Sequence, residues 1–366
     1  MNSKGNQILI PGCHQNLTIM SFQNNSGFVA SLEANYYDDP EIFSLEQRTI
    51  FTKNWIFVAP VSELSHSGDF VTDEIAERPV VIIRNNEGDI RGYYNLCRHR
   101  ASVLCRERQG NRKVFVCPYH SWSYTLDGQL KNCPGFEHEI KSRQLEMNLI
   151  PIRVEVWNEL VFVCLDDTAP DLKTWMGDVL EIAERFPGVK EMEYEARLQN
   201  QGEVNWKTYS DNSAEGYHLD SVHKSLSLAL VPDQTDIRNY ENGGFTGFDV
   251  TYKGDSGQAH SKGFWIYKFP GLLLHFSENS FNIERVLPKA PVKTEIHRWF
   301  WFMPEVHKTQ RQETVEFSNV VMDEDMEICF QVQRNLAGGI YKQGLLSKER
   351  EPGTVFFQSL VREHLK

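Results

Sequence analysis

The sequence lacks any apolar run long enough to cross a membrane. Apolar stretches such as Leu160–Leu165 and Val80–Ile83 have the length of a strand, whereas a membrane helix needs about 20 residues. The N-terminus also lacks a basic stretch followed by a longer apolar one, so no export signal is predicted. We therefore expect a cytoplasmic protein that does not contact a membrane.

Basic residues are scarce as well. The chain has 38 Lys and Arg against 50 Asp and Glu, which leaves a formal net charge of −12 on 366 residues. A protein that neutralises nucleic-acid phosphates normally has an excess of Lys and Arg, so nucleic acid is not expected as a partner. Hydrophobic residues at 40% and charged residues at 24% are typical of a soluble globular protein, and the length predicts about two domains.

Cysteines are few and odd in number. The seven do not form the framework of a small disulfide-rich secreted domain. Five of them are interpreted as buried or idle thiols: Cys13, Cys105, Cys133, Cys164 and Cys329. The remaining two, Cys97 and Cys117, each lie close to a histidine, and these pairs point to a function.

Periodicity and turn signals divide the chain into three parts. Residues 1–54 hold a loosely ordered start and a predicted helix at Glu41–Lys53, and we expect this segment to pack on the catalytic domain. Residues 55–165 predict an all-β domain. Its strands are expected at Ile56–Ala59, Val80–Arg84, Ile90–Asn95, Lys113–Val116 and Val161–Leu165.

Residues 166–366 predict a second domain with helices flanking an antiparallel sheet, so the fold class is α+β. A linker and helix are expected over Thr168–Val189 and a helix over Trp206–His218. A last long helix should cover Gln312–Leu336 and stop at Gly338-Gly339. The strands of this domain are predicted at Phe264–Phe269, Leu272–Phe276 and Ile296–Met303.

The first set of candidate ligands is Cys97 and His99, followed after seventeen residues by Cys117 and His120. Two cysteines can hold one iron of a [2Fe–2S] cluster while two histidines hold the other iron. A structural zinc site is the alternative, because Cys2His2 sets also bind zinc. Zinc fingers place both cysteines before both histidines, whereas each half here mixes the two, and this order favours the iron–sulfur interpretation.

The second set begins with His218 and His223, which can converge on one metal if the helix unwinds between them. A carboxylate from the acidic run Asp323–Glu327 on the predicted last helix could complete a 2-His-1-carboxylate triad. Such a triad leaves coordination positions open for oxygen and substrate. A histidine pair by itself is more often structural.

Both sets together resemble the Rieske non-haem iron oxygenases, whose cluster motif is Cys-x-His, a spacer of about 15–17 residues, and Cys-x-x-His. The flanking residues of Asn95–Arg100 and Cys117–Trp122 are similar as well, and Ala101 departs from the glycine of many members. The resemblance implies an all-β Rieske domain and a helix-grip, START-like catalytic domain. It also implies a [2Fe–2S] cluster on the first set and Fe²⁺ on the second.

The resemblance favours Asp325 as the third iron ligand. The family carries this ligand in a Glu-Asp pair about eight residues before Val-Gln-Arg, and Glu324-Asp325 precedes Val332–Arg334 at that distance. Asp323 is the alternative. By the same resemblance, Glu215 bridges the cluster of one subunit to the mononuclear iron of its neighbour through hydrogen bonds to the two imidazoles.

The implied activity is that of a terminal oxygenase component. Such a protein uses O2 and electrons from a separate flavin- and iron–sulfur-containing reductase, so NAD(P)H takes part only indirectly; this chain has no GxGxxG dinucleotide motif. A ring of three subunits is implied, because it brings the two metal centres of neighbouring subunits together.

Glu215, where most ring-hydroxylating relatives have aspartate, and the C-terminal residues Gln331–Arg334 and Phe356–Gln358 resemble the carnitine, choline and glycine-betaine branch. We therefore expect hydroxylation of a small quaternary or methylated amine, such as carnitine or a betaine, with C–N cleavage or demethylation. The alternatives are an aromatic-ring or natural-product oxygenase and a Rieske electron-transfer protein without oxygenase activity. The aromatic runs Phe264–Phe269 and Trp299–Phe302 could cage a quaternary ammonium or simply form sheet core.

Overall fold

The structure is a computed structural model that describes residues 27–231, 236–254 and 259–366. Most of the predicted loosely ordered start, including Cys13, lies outside the described residues. None of the helices in the described ranges is both long and apolar enough to span a membrane.

Helices are concentrated in the second half of the described residues. They are α1 (Pro40–Glu46), α2 (Glu137–Ile140), α3 (Leu172–Met176), α4 (Val179–Ala183), α5 (Trp206–Ser213), α6 (Leu219–Val222), α7 (Lys224–Ala229), α8 (Lys308–Ala337) and α9 (Pro352–His364). Short segments of 3-10 or π helix occur at Ala34–Tyr37, Gln47–Phe51, Val61–Leu64, Lys141–Met147 and Val189–Glu191.

The strands form two large sheets and two small ones. They are β1 (Phe28–Ala30), β2 (Ile56–Pro60), β3 (Asp69–Ile75), β4 (Arg78–Arg84), β5 (Ile90–Tyr94), β6 (Gln109–Asn111), β7 (Phe115–Val116), β8 (Ser123–Tyr124), β9 (Leu130–Asn132), β10 (Pro151–Trp157), β11 (Leu160–Cys164), β12 (Glu193–Gly202), β13 (Asp236–Tyr240), β14 (Phe245–Lys253), β15 (Ala259–Lys268), β16 (Leu272–Ser277), β17 (Ser280–Ala290), β18 (Lys293–Phe302) and β19 (Leu345–Ser347).

The N-terminal half is built on an antiparallel sheet in the order β2-β11-β10-β5-β4-β3-β6, beside a small sheet β7-β8-β9. Tight hairpins hold the register of the larger sheet. Asn158 and Glu159, between β10 and β11, both have positive φ (49° and 61°), as the two central residues of a type I′ turn require. Strand β4 is buried at its centre, so both faces of the sheet are covered there.

The C-terminal half is an antiparallel sheet in the order β12-β18-β17-β16-β15-β14-β13, with β1 pairing β19 outside it. The long helix α8 buries residues at intervals of three or four along one side, including Met322, Asp325 and Cys329. This stripe turns toward α5, where the sulfur of Cys329 donates to the carbonyl of Thr208 at 3.7 Å. One helix face therefore carries both core residues and a candidate metal ligand.

A buried ion pair joins the two halves. Nη1 of Arg285 on β17 lies 2.6 Å from Oδ2 of Asp73 on β3, and the same nitrogen donates to the carbonyl of Phe57 at 2.7 Å. Burial alone would raise the pKa of Asp73, but the charges of Arg285 and His297 outweigh it and hold this pKa below its usual value. The carboxylate therefore stays charged and fixes the catalytic sheet to the all-β sheet.

The N-terminal segment is attached by a second buried group. Glu46, at the end of α1, accepts a hydrogen bond from Nε1 of Trp206 at 2.8 Å and pairs with the ammonium of Lys207. All three side chains are essentially inaccessible to solvent. Glu46 of the N-terminal segment thereby fixes the first turn of α5, the helix that precedes the candidate iron ligands.

The predicted α+β class, with an all-β domain followed by a helix-flanked antiparallel sheet, is confirmed. The helix expected over Thr168–Val189 is instead two short helices, because Gly177 between them has φ 56° and a Cβ there would lie 2.5 Å from the carbonyl oxygen of Asn242. The helix expected to reach His218 ends at Ser213. The domain boundaries remain a prediction.

We expect Asp73→Asn to destabilise the protein by about 3 kcal/mol, because Arg285 would remain buried without its counter-charge. The Asp73 contribution is present above its unfolded-state pKa, about 4, and is lost as pH falls through the lower folded-state pKa. Urea unfolding midpoints at pH 7 and pH 3 would measure both effects. Asp89→Asn, which breaks only the exposed Asp89–Arg91 pair, is the control and should leave the midpoint unchanged. An equal shift in both variants would contradict the role given to Asp73.

Candidate functional site

Two loops with the same hydrogen-bond pattern carry the first set of candidate ligands. In each loop the cysteine N–H donates to the carbonyl five residues later, at 2.8 Å for Cys97 and 2.7 Å for Cys117. The cysteine carbonyl in turn accepts from the N–H four residues later, at Ala101 and Ser121. Both of these residues have positive φ, 56° and 58°. The left-handed conformation explains why glycine suits position 101 and why alanine there is strained.

The sulfur atoms of this set are buried and surrounded by donors. Sγ of Cys97 lies 3.3 Å from the hydroxyl of Tyr124. Burial alone would raise the pKa of Cys117, but the backbone N–H groups of Tyr119 and His120 donate to its sulfur and bring the pKa below its usual value. At Cys117 this environment favours the thiolate, which is the form that binds metal, whereas burial raises the pKa of Cys97.

The imidazoles of His99 and His120 lie beside one another with ring centroids 4.7 Å apart, and His99 stacks on the indole of Trp122 at 4.8 Å. Nδ1 of His99 is buried and, among the described residues, has no hydrogen-bond partner. Two thiols and two imidazoles, one with an unsatisfied buried nitrogen, fit a [2Fe–2S] cluster with mixed ligation. His120 and Tyr119 are exposed, so this edge of the loops lies at the surface of the chain.

The second set of candidate ligands comes from two separate helical regions. His218 and His223 flank the single turn of α6, and Asp325 extends from α8. Oδ1 of Asp325 lies 2.9 Å from Nε2 of His223 and 3.6 Å from Nε2 of His218. The donor atoms of all three residues lie within 4.8 Å of one another. Asp323, the alternative ligand, is exposed on α8 and is not part of this group.

Each histidine of this group is oriented by a second carboxylate. Oε1 of Glu215 lies 2.5 Å from Nδ1 of His218, and Oε2 of Glu324 lies 2.8 Å from Nδ1 of His223. Both rings therefore direct Nε2 toward Asp325. Carboxylates placed behind ligating imidazoles are a common device, since they fix the tautomer and make the ligand more basic.

The charges of this group favour a bound cation. Burial alone would lower the pKa of His218, but the contacts with Asp325 and Glu215 raise it to about 9. Burial also opposes the charged form of Asp325, and the hydrogen bonds from the two histidines still keep its pKa below the usual value. Without a metal the site attracts a proton. With a divalent metal the same carboxylates stabilise the ion, so the residues fit a 2-His-1-carboxylate iron site.

A cavity of about 230 Å³ opens beside this group, between the large C-terminal sheet, α5 and α8. One wall is a row of residues paired across five strands: Phe248, Trp265, His275, Asn282 and Phe300. The adjacent row contributes Tyr267, Leu273 and Glu284. The hydroxyl of Tyr209 on α5 donates to Oε2 of Glu284 at 3.0 Å, which joins the wall to the helix that precedes the histidines.

Because successive side chains of a strand point to opposite faces, the two aromatic runs singled out in the sequence contribute to both faces of the sheet. Trp265 and Phe300 face the cavity, whereas Phe264, Trp299 and Trp301 are buried on the opposite face in the sheet core. The residues on one face of these runs form sheet core, while Trp265 and Phe300 on the other face are positioned to contact a ligand. Other aromatic residues, including Phe248 and Tyr252, also line the cavity, although they lie outside the runs.

The sequence did not reveal several residues that the structure places at the site. Nδ2 of Asn212 donates to Oδ1 of Asp325 at 2.5 Å, and Glu284 and the His275–Asn282 pair line the cavity. No spacing signal marks them, because their proximity depends on strand register and on the crossing of α5 and α8. Glu324 could have been suspected as a partner of a ligand, since it precedes Asp325.

Two family models match the chain. One, the Rieske [2Fe-2S] domain, matches residues 54–157, and the other, the ring hydroxylating alpha subunit (catalytic domain), matches residues 185–262 and 246–366. The carnitine monooxygenase oxygenase subunit of Acinetobacter pittii is 29% identical over 354 residues, which cover 90% of this chain and 94% of that protein. The large oxygenase component of the naphthalene 1,2-dioxygenase system of Pseudomonas aeruginosa is 34% identical over 250 residues, covering 62% and 54%.

The fold is also similar to that of solved structures. The crystal structure of a quaternary ammonium Rieske monooxygenase in complex with the substrate L-carnitine has a TM-score of 0.82 to this chain at 25% identity. The match covers 93% of this chain and 97% of the other. Similarity of this extent includes both the cluster-binding half and the helix-flanked sheet.

We propose that Asp325 is the carboxylate ligand, and we expect Asp325→Ala to lose the mononuclear iron while the visible absorption of the cluster remains. Asp323 lies two residues before Asp325 on the same helix and is exposed. Asp323→Ala should therefore retain both metal centres and is the matched control. Iron analysis per chain together with the absorption spectrum would measure this. Full iron content in Asp325→Ala would show that the carboxylate ligand lies elsewhere.

Proposed function

The chain belongs to the Rieske non-haem iron oxygenases, and on that premise we propose that it is an oxygenase component that hydroxylates a small quaternary or methylated amine. Hydroxylation next to nitrogen would then cleave a C–N bond or remove a methyl group. Carnitine and betaines are the first compounds to test. Membership of the family makes a Rieske [2Fe–2S] cluster and a mononuclear iron the cofactors, and it sets aside the zinc and electron-transfer alternatives.

The charge of the cavity supports an amine most strongly. Glu215, Glu284 and Asp325 line it, and among the described residues that line it none is Lys or Arg. The two positive charges of Fe²⁺ are balanced by the carboxylates of Asp325 and Glu215, so the cavity has no excess of positive charge even though burial raises the pKa of Glu284 above its usual value. A cationic nitrogen is therefore stabilised there, whereas an aromatic carboxylic acid would find no cation to pair with.

The aromatic side chains support the same substrate class. Trp265, Phe248 and Phe300 present ring surface to the cavity, and the indole N–H of Trp265 already donates to the hydroxyl of Tyr252 at 3.0 Å. A quaternary ammonium cannot donate a hydrogen bond and is recognised by ring faces, at about 0.5–2 kcal/mol for each contact. The relatives named for carnitine, with their similarity over most of the chain, agree with this choice.

When bound, the cluster supplies electrons and the mononuclear iron supplies O2 activation; the residues of the chain position these groups and the substrate. We infer that Cys97 and Cys117, with His99 and His120, hold the cluster. His218, His223 and Asp325 would hold the iron in this proposal. Asn212 and the two outer carboxylates keep the ligand set oriented, while the apolar rings exclude water from the reacting C–H bond.

Glu215 is proposed to bridge subunits. It already contacts His218, and its carboxylate can accept a second hydrogen bond from the exposed His120 of another copy. A closed ring of three subunits would satisfy this contact in every subunit, and we propose such a homotrimer. A separate flavin- and iron–sulfur-containing reductase would supply electrons, and the cytoplasmic location stays a prediction.

We expect chemically reduced, iron-loaded protein to oxygenate or demethylate an amine in a single turnover with O2. Carnitine, choline, glycine betaine and N-methylated prolines would be offered beside benzoate-type acids, with products identified by mass. This assay does not require the reductase. Oxygenation of the aromatic acids alone would overturn the amine proposal and favour an aromatic-ring hydroxylase.

We expect Glu215→Gln to keep both metal centres and to slow cluster reoxidation during a single turnover by about 10–100-fold, because the charged link between the centres is lost. Stopped-flow absorption of the cluster would measure the rate. Glu324→Gln is the matched control, since Glu324 makes the equivalent contact with His223 without lying next to His218. If Glu215→Gln reoxidises as fast as Glu324→Gln, the bridging role is wrong.

A further inference from the structure

A polar pair interrupts the otherwise aromatic wall of the cavity. His275 and Asn282 face each other across β16 and β17, with Trp265 on one side of them and Phe300 on the other. Nδ2 of Asn282 lies 3.2 Å from Nδ1 of His275. Both side chains are enclosed by the protein, and each keeps part of its surface open to the cavity that it lines. Pockets of this kind use a few polar groups to orient a ligand that apolar contacts hold.

The pair is electrically neutral. Burial lowers the pKa of His275 to about 4, so its ring carries no charge near neutral pH. With the Asn282 amide donating to Nδ1, the ring proton resides on Nε2. Nε2–H of His275 and the carbonyl oxygen of Asn282 are then one donor and one acceptor available to a ligand.

The other polar residues that line the cavity differ from this neutral pair because several of them are acidic. Glu284, one row along the sheet, is an acidic side chain that accepts a hydrogen bond from Tyr209 and whose pKa is raised by burial, and Asp325 and Glu215 belong to the iron site. Arg298 is the cross-strand neighbour of Glu284. Arg298 is fully buried and donates to Ser318 and Asn319, so it does not line the cavity.

A substrate carboxylate would therefore find no Lys or Arg to pair with among the lining residues that the structure describes. Burying an ionised carboxylate without a cation or a full set of donors costs several kcal/mol. A hydroxyl or an amide meets no such penalty, because the pair offers it a donor and an acceptor. The cationic nitrogen at the other end of the same molecule remains stabilised by the acidic groups and the rings.

We propose that the cavity selects a cationic amine whose second polar group is neutral, a hydroxyl or an amide held by His275 and Asn282, rather than a carboxylate. The inference rests on the proposed amine oxygenation and narrows its substrate class. His275 and Asn282 become the residues that determine specificity at this end of the substrate.

Binding to the iron-loaded protein without O2, measured by calorimetry, tests the inference with two matched pairs of ligands. The pairs are carnitinamide against carnitine and choline against glycine betaine, with tetramethylammonium as a reference that lacks the second group. We expect the neutral member of each pair to bind at least about 10-fold more tightly, since one unfavourable charge separates the two members.

Variants of the pair extend the test. Asn282→Leu should weaken carnitinamide and choline by about 10-fold and leave tetramethylammonium unchanged, because only the ligand's neutral group loses its partners. His275→Lys should reverse the preference within each pair by supplying the missing cation. The cluster absorption and iron content of each variant show whether it is folded and holds its metals. His275→Gln is a neutral substitution and should keep the preference for the neutral ligands.

The outcomes separate this inference from the proposed function. If the carboxylates bind as tightly as their neutral counterparts, the inference is overturned while amine recognition stands. If none of the ammonium ligands binds and a benzoate-type acid does, both fail. Preference for the neutral ligands, lost in Asn282→Leu and reversed in His275→Lys, supports the inference.

Discussion

One carboxylate oxygen connects the two parts of the candidate iron site. Oδ1 of Asp325 is within 3.6 Å of both imidazoles and also accepts a hydrogen bond from Asn212. Asp325 extends from α8, whereas Asn212 belongs to α5 and the two histidines follow α5 in the chain. The site can form only if the two helices keep a fixed register. Gln333, two turns beyond Asp325, sets that register: its Oε1 accepts from the N–H of Asn205 and the hydroxyl of Thr208, both at 2.9 Å.

The same constraint explains C-terminal residues that are far from any metal. Oε1 of Gln358 on α9 accepts from the N–H of Leu32 at 2.7 Å, and its Nε2 donates to Tyr37 and Asp211. Asp211 lies on α5, so α9 and the N-terminal segment brace the helix that leads to the histidines. The residues around Gln333 and Gln358 that resemble the carnitine and betaine branch thus serve the architecture of the site, and they carry little information about substrate.

The sequence predicted what local spacing can encode. The cysteine–histidine turns, the pair His218 and His223, and the long acidic helix each show their ligands within a few residues, since a loop or a helical turn brings these neighbours together. It could not predict the cavity. His275 meets Asn282 and Glu284 meets Tyr209 only through strand pairing and helix crossing, and the alternation of strand faces decides that Phe300 lines the cavity while Trp299 does not.

Charge then links the metal site to substrate selection. Glu215, which raises the basicity of the His218 imidazole, also lines the cavity together with Asp325, so carboxylates needed to bind a divalent ion disfavour anions in the space beside it. A bound metal offsets part of this negative charge, and a cationic nitrogen offsets more of it. In the row of the sheet formed by Phe248, Trp265, His275, Asn282 and Phe300, the polar residues are the neutral His275–Asn282 pair. Specificity for a cation therefore follows from how the iron ligands are supported, whereas recognition of the rest of the substrate depends on two residues that the metal does not require.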